Sequence, residues 1–524
     1  MNTHFLTPFR KSIIATLLFF GISFGENLAQ ERPSNLTREQ LQGIDSIVEK
    51  HRKTIPNLSG RNSDSTMKEF YLRKMLEYKS VPQPEDKWLI STKPPMPRIL
   101  SLQEQAQLQD SLTKLRLERL LPQLMRREGV DMWLVIGREY NEDPVIKTML
   151  PATWLSARRR TILLIFDKGG DKGLERLAVA RYDVNSPTSG QLFKSAWNPT
   201  KQPSQYVRLA ELIAERKPRK IALNRSEAFA HADGLTAQEL QEFLTALPKE
   251  YHQNIVSGER LSVGWLETRT PEEMGIFPQL CQITHAIIAE GFSPNVIKPG
   301  VTTTGEMEWW FRERIRSLGL QTWFHTSVTI QRADPIANTT APSSSKALSE
   351  LILPGDLLHV DIGISYLGLN SDVQQHAYVC KSNENAVPAG LVKAFQNGNR
   401  SQDILLQQFK AGRTGNQMLK AALEQAQKES VKATIYTHPI GMHGHAAGPA
   451  IGMWDMQQGV PGSGDYPLFP NTAYSIELNA ETPIPEWGDK PVRIMLEEDA
   501  FFVNDTDGVR WLDGRQTAII LIKP

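Results

Sequence analysis

Cysteine is almost missing. Cys281 and Cys380 are the only two in 524 residues, so the chain does not rest on a disulfide framework. Excess charge is missing too: 59 Lys and Arg stand against 58 Asp and Glu, a net +1, and there is no basic run. That excludes the electrostatic footprint of a nucleic-acid binder. Long apolar runs are absent except near the start, where Arg10 and Lys11 precede "SIIATLLFFGISFG" and "NLAQ" follows. This run is well short of the roughly 20 residues a span needs, so no stable membrane span is expected. The pattern is that of a secretory signal over 1–29, cleaved near Ala29, and predicts an exported protein, periplasmic or secreted. What remains, 40% hydrophobic and 22% charged, is ordinary globular composition.

Residues 30–111 are polar, with helical pieces and the Pro-rich "STKPPMPRIL"; they read as an N-terminal extension or linker. From 112 the pattern changes. "SLTKLRLERLLPQLMRREG" has a helical period, "VDMWLVIG", "RRTILLIFD", "RLAVARY" and "KIALNRS" are strands, and "TAQELQEFLTAL" is a helix. The alternation predicts an α/β domain over 112–255. A new helix start follows, with Thr270 as cap, Pro271 in the first turn and Glu273 closing a capping box. "IKPGVTTTGEM" and "FKAGRTGNQM" look like one joint used twice. Helix, joint, helix and strands then recur, which predicts an internally duplicated α+β domain over 260–524.

The chemistry sits in that second domain. "DLLHVDIGI" and "NSDVQQHAYV" flank a turn near Tyr366, Leu367 and Gly368. Two-residue pairing there would set Asp361 opposite Asp372. Opposed like charges are destabilising, so solvent, a basic partner or a metal ion must relieve them. "THPIGMHGHAAGP" adds His438, His443 and His445; the last two could be a strand-borne zinc pair or plain polar surface. Glu477 lies in "AYSIELNA", and Glu498 lies between Leu496 and Ala500 in "IMLEEDAFFV". A Glu inside an apolar strand is costly unless it is paired or metal-bound, and a buried salt bridge would serve as well as a metal.

Taken together, this order of Asp, Asp, His, Glu, Glu resembles the "pita-bread" metallopeptidases, the family of methionine aminopeptidase, prolidase, aminopeptidase P and the metal-free creatinase. The 11-residue spacing of the aspartates, a second His seven residues after His438, and "SIE" followed by "EED" carry the likeness. The α/β region resembles the creatinase-type N-terminal domain, so the overall plan is most similar to Xaa-Pro aminopeptidase and prolidase. The resemblance implies metal ligands at Asp361, Asp372, His438, Glu477 and Glu498, with Glu497 as the fallback for Glu498. It implies catalytic roles for His445 and Glu477, and two divalent ions. Four carboxylates and one imidazole favour manganese, with zinc, cobalt or iron also compatible. The expected partner is a peptide with proline at its second position; a homo-oligomer is compatible.

Departures from the family fall around the ligands. Pro439 stands where relatives commonly have Gly, and no acid follows the second histidine. Ser344 stands where relatives carry a histidine, with His325 the candidate to substitute. Leu496 stands two residues before Glu498, where relatives carry Arg, with Arg493 nearby. The predicted activity is a metal-dependent aminopeptidase of the Xaa-Pro type. The alternatives are a prolidase, a non-catalytic binding protein on the same fold, or a creatinase-like amidinohydrolase.

Overall fold

The computed structural model describes residues 96–333 and 350–523. The expected signal, the extension as far as residue 95, and Ser344 lie outside them. Among the described residues no helix is long and apolar enough to cross a membrane. Apart from 274–276, the described residues belong to one compact unit.

The first helix, α1 (Leu102–Leu115), begins inside the stretch read as a linker. Its apolar positions are sparse, which hid its period, but Ser101 and Glu104 cap each other reciprocally, a signature legible in the sequence. A single π turn, Arg116–Leu120, leads into α2 (Leu121–Glu128). The strands that follow are β1 (Met132–Arg138), β2 (Arg160–Asp167), β3 (Leu174–Val179), β4 (Val184–Ser186), β5 (Gly190–Ser195), β6 (Ile221–Leu223) and β7 (Ile255–Ser257). They form one mixed sheet in the order β4-β5-β3-β2-β1-β6-β7. Apolar side chains of α3 (Gln205–Arg216) and α4 (Ala237–Ala246) cover one face. The other face packs with α2 and α5 (Glu259–Glu267), in a core that also takes in Ala447 and Tyr466 of the second domain. The same junction holds a buried ion cluster: Arg116 Nη1 lies 2.7 Å from Glu273 and Arg269 Nη1 lies 3.2 Å from it.

The second domain is built twice. Helices α6 (Phe277–Gly291) and α7 (Thr304–Ser317) make one pair, α8 (Ala389–Leu406) and α9 (Gly415–Lys428) the other. The repeated joint is repeated in its hydrogen bonds. The Glu306 amide donates to Thr303 Oγ1 at 3.3 Å, and Gln417 does the same to Thr414 at 3.2 Å. Thr303 N returns to Glu306 at 2.8 Å, and Thr414 N to Gln417 at 3.0 Å.

Behind the helices lie β8 (Ser327–Gln331), β9 (Leu357–Ile362), β12 (Val373–Val379) and β20 (Ile520–Ile522), in the order β20-β12-β9-β8. The second half contributes two sheets. One is β13 (Lys432–Ile435), β16 (Leu478–Pro483) and β17 (Pro491–Leu496); the other is β14 (His438–Pro439), β15 (Thr472–Ser475), β18 (Asp499–Asn504) and β19 (Gly508–Trp511).

The hairpin between β9 and β12 differs from the expected register. Ribbons β10 (Ser365–Tyr366) and β11 (Leu369–Asn370) close on Leu367 and Gly368, with φ of 57° and 77°. Two positive φ values suit a tight hairpin turn, but a leucine there costs about 1–2 kcal/mol, and nothing in its side chain announces it. Asp361 therefore pairs with Gln374, not with Asp372. The error is an even number of residues, and side chains alternate with period two, so the two aspartates keep their common face.

Candidate metal centre

Five ligand-type side chains reach one place from five segments. Asp361 is in β9, Asp372 directly precedes β12, and His438 opens β14. Glu477 lies where β15 gives way to β16, and Glu497 where β17 gives way to β18. Leu478 faces Leu496 in one sheet and Ser475 faces Asp499 in the next. Carried across the gap, that register sets Glu477 opposite Glu497.

The same register corrects the expected ligand Glu498. It stands opposite Ile476, whose amide donates to the Glu498 carbonyl at 2.9 Å, and its side chain points to the other face. There it lies 2.7 Å from His285 Nε2, and Gln375 Nε2 and the Gln516 amide donate to it at 2.9 and 3.1 Å. His285 Nδ1 meets Asp513 at 2.8 Å. Burial opposes a charge on His285, but Glu498 and Asp513 outweigh it and push its pKa up to about 10. Glu498 is thus half of a buried ion pair, and the fallback Glu497 takes its place in the cluster.

Ligand atoms form three overlapping groups, each within 4.8 Å: Asp361 with Asp372 and Glu497; His438 with Glu477 and Glu497; Asp372 with His438 and His445. His438 Nε2 lies 3.4 Å from Glu497, 3.6 Å from Asp372 and 3.9 Å from Glu477. Its Nδ1 lies 3.0 Å from the Pro439 carbonyl. A proton on Nδ1 satisfies that contact and leaves the Nε2 lone pair facing the acids. Burial first, and then neighbouring carboxylate charge, raise Asp361, Asp372 and Glu477 well above the carboxylate range. Asp361 Oδ1, Asp372 Oδ1 and His438 Nε2 are buried without a hydrogen-bond partner. Orphaned acceptors crowded by like charge are costly, and a divalent cation answers both costs. The residues present fit one.

Surrounding side chains hold the acids. Ser475 Oγ donates to Glu497 Oε1 at 2.7 Å, and the Asp372 amide donates to Asp499 at 3.2 Å. Gln374 Nε2 donates to Glu477 Oε1 at 2.6 Å and to Glu497 Oε2 at 2.8 Å. The expected His445 reaches the surface, its ring centroid 4.7 Å from that of His438; partial loss of water around the ring, and then nearby His438, lower its pKa. His443 meets His231 of the first domain at 4.7 Å between centroids, and burial followed by His231 pushes it down to about 4. Of the other candidates, His325 is engaged by Arg312 at 2.8 Å, and Arg493 by Glu481 at 2.8 Å.

Sequence reasoning missed Trp323. Its Nε1 donates to the Ser371 carbonyl at 2.9 Å and its ring stands 5.1 Å from His445. A Cβ on Gly363 or Gly444 would collide with the indole or its neighbour Phe324, so those two glycines let it lie against both ligand-bearing segments. That pair of glycines is the signal, and it has meaning only once the partner is known.

Residues 277–513 match the model of metallopeptidase family M24. Over these residues the chain is similar to that family, and the second domain has the pita-bread metallopeptidase fold, preceded by an α/β domain. Solved structures share the whole plan. The X-Pro aminopeptidase of Thermotoga maritima is 18% identical, with 76% of this chain and 99% of that one covered and a TM-score of 0.54. The Xaa-Pro dipeptidase of Bacillus anthracis is 17% identical, with 80% and 100% covered and a TM-score of 0.53. Dipeptidase PepE of Mycobacterium ulcerans is 15% identical, with 82% and 100% covered and a TM-score of 0.52. At these identities the likeness is one of fold. Comparison with curated proteins gives no match.

Proposed function

We propose that the chain is an exported metal-dependent aminopeptidase that hydrolyses the first peptide bond of peptides with proline in second position. The observation that carries this reading is the convergence of Asp361, Asp372, His438, Glu477 and Glu497 around orphaned buried ligand atoms. The shared fold with proteins named for Xaa-Pro substrates supports the substrate class, and the N-terminal pattern supports export.

These five residues would hold two divalent cations. Four carboxylates and one imidazole favour manganese. When bound, such cations lower the pKa of water toward about 7 and polarise a carbonyl. Glu477, besides its place among the ligands, would take up the proton that the attacking water gives up. His445, neutral and exposed beside His438, donates an N–H to the carbonyl oxygen as charge grows on it.

The test is a peptide panel on the manganese-loaded protein: Xaa-Pro-Yaa, Xaa-Pro and Xaa-Ala-Yaa. Fastest release of Xaa from Xaa-Pro-Yaa is expected. Preference for the dipeptide would make the enzyme a prolidase, and no hydrolysis of any peptide would sink the reading.

A further inference from the structure

The side chain of Gln374 touches two of the clustered acids at once. Its Nε2 carries two hydrogens, and the geometry uses both, one to Glu477 Oε1 and one to Glu497 Oε2. The oxygens it leaves, Glu477 Oε2 and Glu497 Oε1, are the ones that face His438 Nε2. Its own Oε1 lies 2.8 Å from His359 Nε2. Carboxylates that hold a cation are ionised and only accept, so the amide then presents nitrogen to them and oxygen to His359, and His359 donates from Nε2. Thr329 Oγ1, 3.4 Å from His359 Nδ1, is placed to donate to the nitrogen left bare. The backbone agrees: the Gln374 amide donates to the Glu497 carbonyl at 2.9 Å, tying the first half of the domain to the second at this residue.

We infer that Gln374 is a positioning residue of the metal centre, pinning one oxygen of Glu477 and one of Glu497 and turning the others toward the cation, with His359 fixing the direction of the amide. A Glu here would crowd the acids with another charge. A Leu would fill similar space and release both. The inference rests on the reading that the cluster binds divalent cations.

The experiment titrates manganese into chelator-stripped full-length protein by calorimetry, with circular dichroism to establish folding. Gln374→Leu should bind manganese about 10–100-fold more weakly, the usual cost of losing a group that orients a ligand. His359→Leu should weaken binding in the same direction, and His359→Gln, which keeps an N–H for Gln374 Oε1, should recover it. The double variant should be no weaker than Gln374→Leu alone, because His359 acts through Gln374. Wild-type affinity in Gln374→Leu, or additive losses in the double variant, would overturn the inference while leaving the centre intact. Should Gln374→Leu fail to fold, the His359 pair decides: equal affinity in His359→Leu and wild type overturns it. No uptake by the wild type would instead remove the reading of the centre itself.

Discussion

Glu497 and Glu498 adjoin in the chain but face opposite sides, so substituting each with Gln should give opposite results. Glu497→Gln removes one of four clustered carboxylate charges. Two unit charges about 4 Å apart in an effective dielectric of about 20 interact by about 4 kcal/mol, and about 1.4 kcal/mol is tenfold in affinity. Manganese affinity should therefore fall by about 10²–10³-fold. The metal-free variant should be more stable than metal-free wild type, because after burial it is Glu497 that holds Asp361, Asp372 and Glu477 up. Glu498→Gln strips His285 of one of its two carboxylates. Breaking a buried ion pair costs about 3–5 kcal/mol, less whatever the Gln oxygen regains as an acceptor. That protein should melt earlier and keep its metal affinity. The sign with pH follows from His285, whose pKa is raised: the stabilisation is full below about 6.5 and is lost as pH rises through about 10. Calorimetric manganese titration and thermal melting of the two variants are the assay. Loss of metal by Glu498→Gln with retention by Glu497→Gln would refute the register argument.

His445→Ala should lose turnover by about 10²–10³-fold with metal content unchanged, whereas His438→Ala should lose metal; elemental analysis beside turnover separates the two. Burial pushes Glu267 up to about 8 against the pull of Arg127 and Tyr466. A raised acid gives stability that is full below its ordinary value of 4.5 and lost as pH rises through 8. Glu267→Gln should therefore flatten the fall in melting temperature between about pH 5 and pH 9, and parallel curves would count against it. Adding manganese at 100 times its dissociation constant should stabilise the stripped protein by about 2.7 kcal/mol per site; a melting temperature indifferent to manganese would contradict the centre. Sequencing of the protein from its native compartment should find Gln30, or a residue close to it, as the first; an intact Met1 would exclude cleavage.

The duplicated domain was legible because its signals are local. A threonine three residues before Glu306 or Gln417 caps a helix wherever it occurs, and the alternation of strands and helices marks the α/β domain. The aspartates were legible because "VDIGI" and "SDVQQ" alternate strongly enough to fix a face, even though the turn at Leu367 and Gly368 shifts the register by two residues. Glu498 was misplaced because both neighbours in "LEED" sit among apolar residues. Choosing between them needs the strand opposite, and only the pairing of "SIEL" with "LEED" shows that Glu477 faces Glu497. His359, Gln374 and Trp323 carry no signal of their own. Their partners lie 15 or more residues away in sequence for His359 and 103 and 123 for Gln374, where no spacing rule reaches.

The position of the centre follows from the same pairing. Strands β15 to β18 leave one sheet and enter another, and the residues at the crossing, Ile476–Glu477 and Glu497–Glu498, belong to neither ladder. Side chains there are free of the constraint that both faces of a buried sheet be apolar. One face of the crossing received the acids that gather with Asp361, Asp372 and His438. The other received Glu498, which neutralises itself against His285. Two adjacent glutamates can be buried in one strand because each face supplies its own positive partner: a protonated imidazole on one side, and on the other a place whose orphaned oxygens and nitrogen fit a cation. Since the aspartates come from the first half of the duplication and His438, Glu477 and Glu497 from the second, that cation would bind the halves together at a seam where the ladders are interrupted.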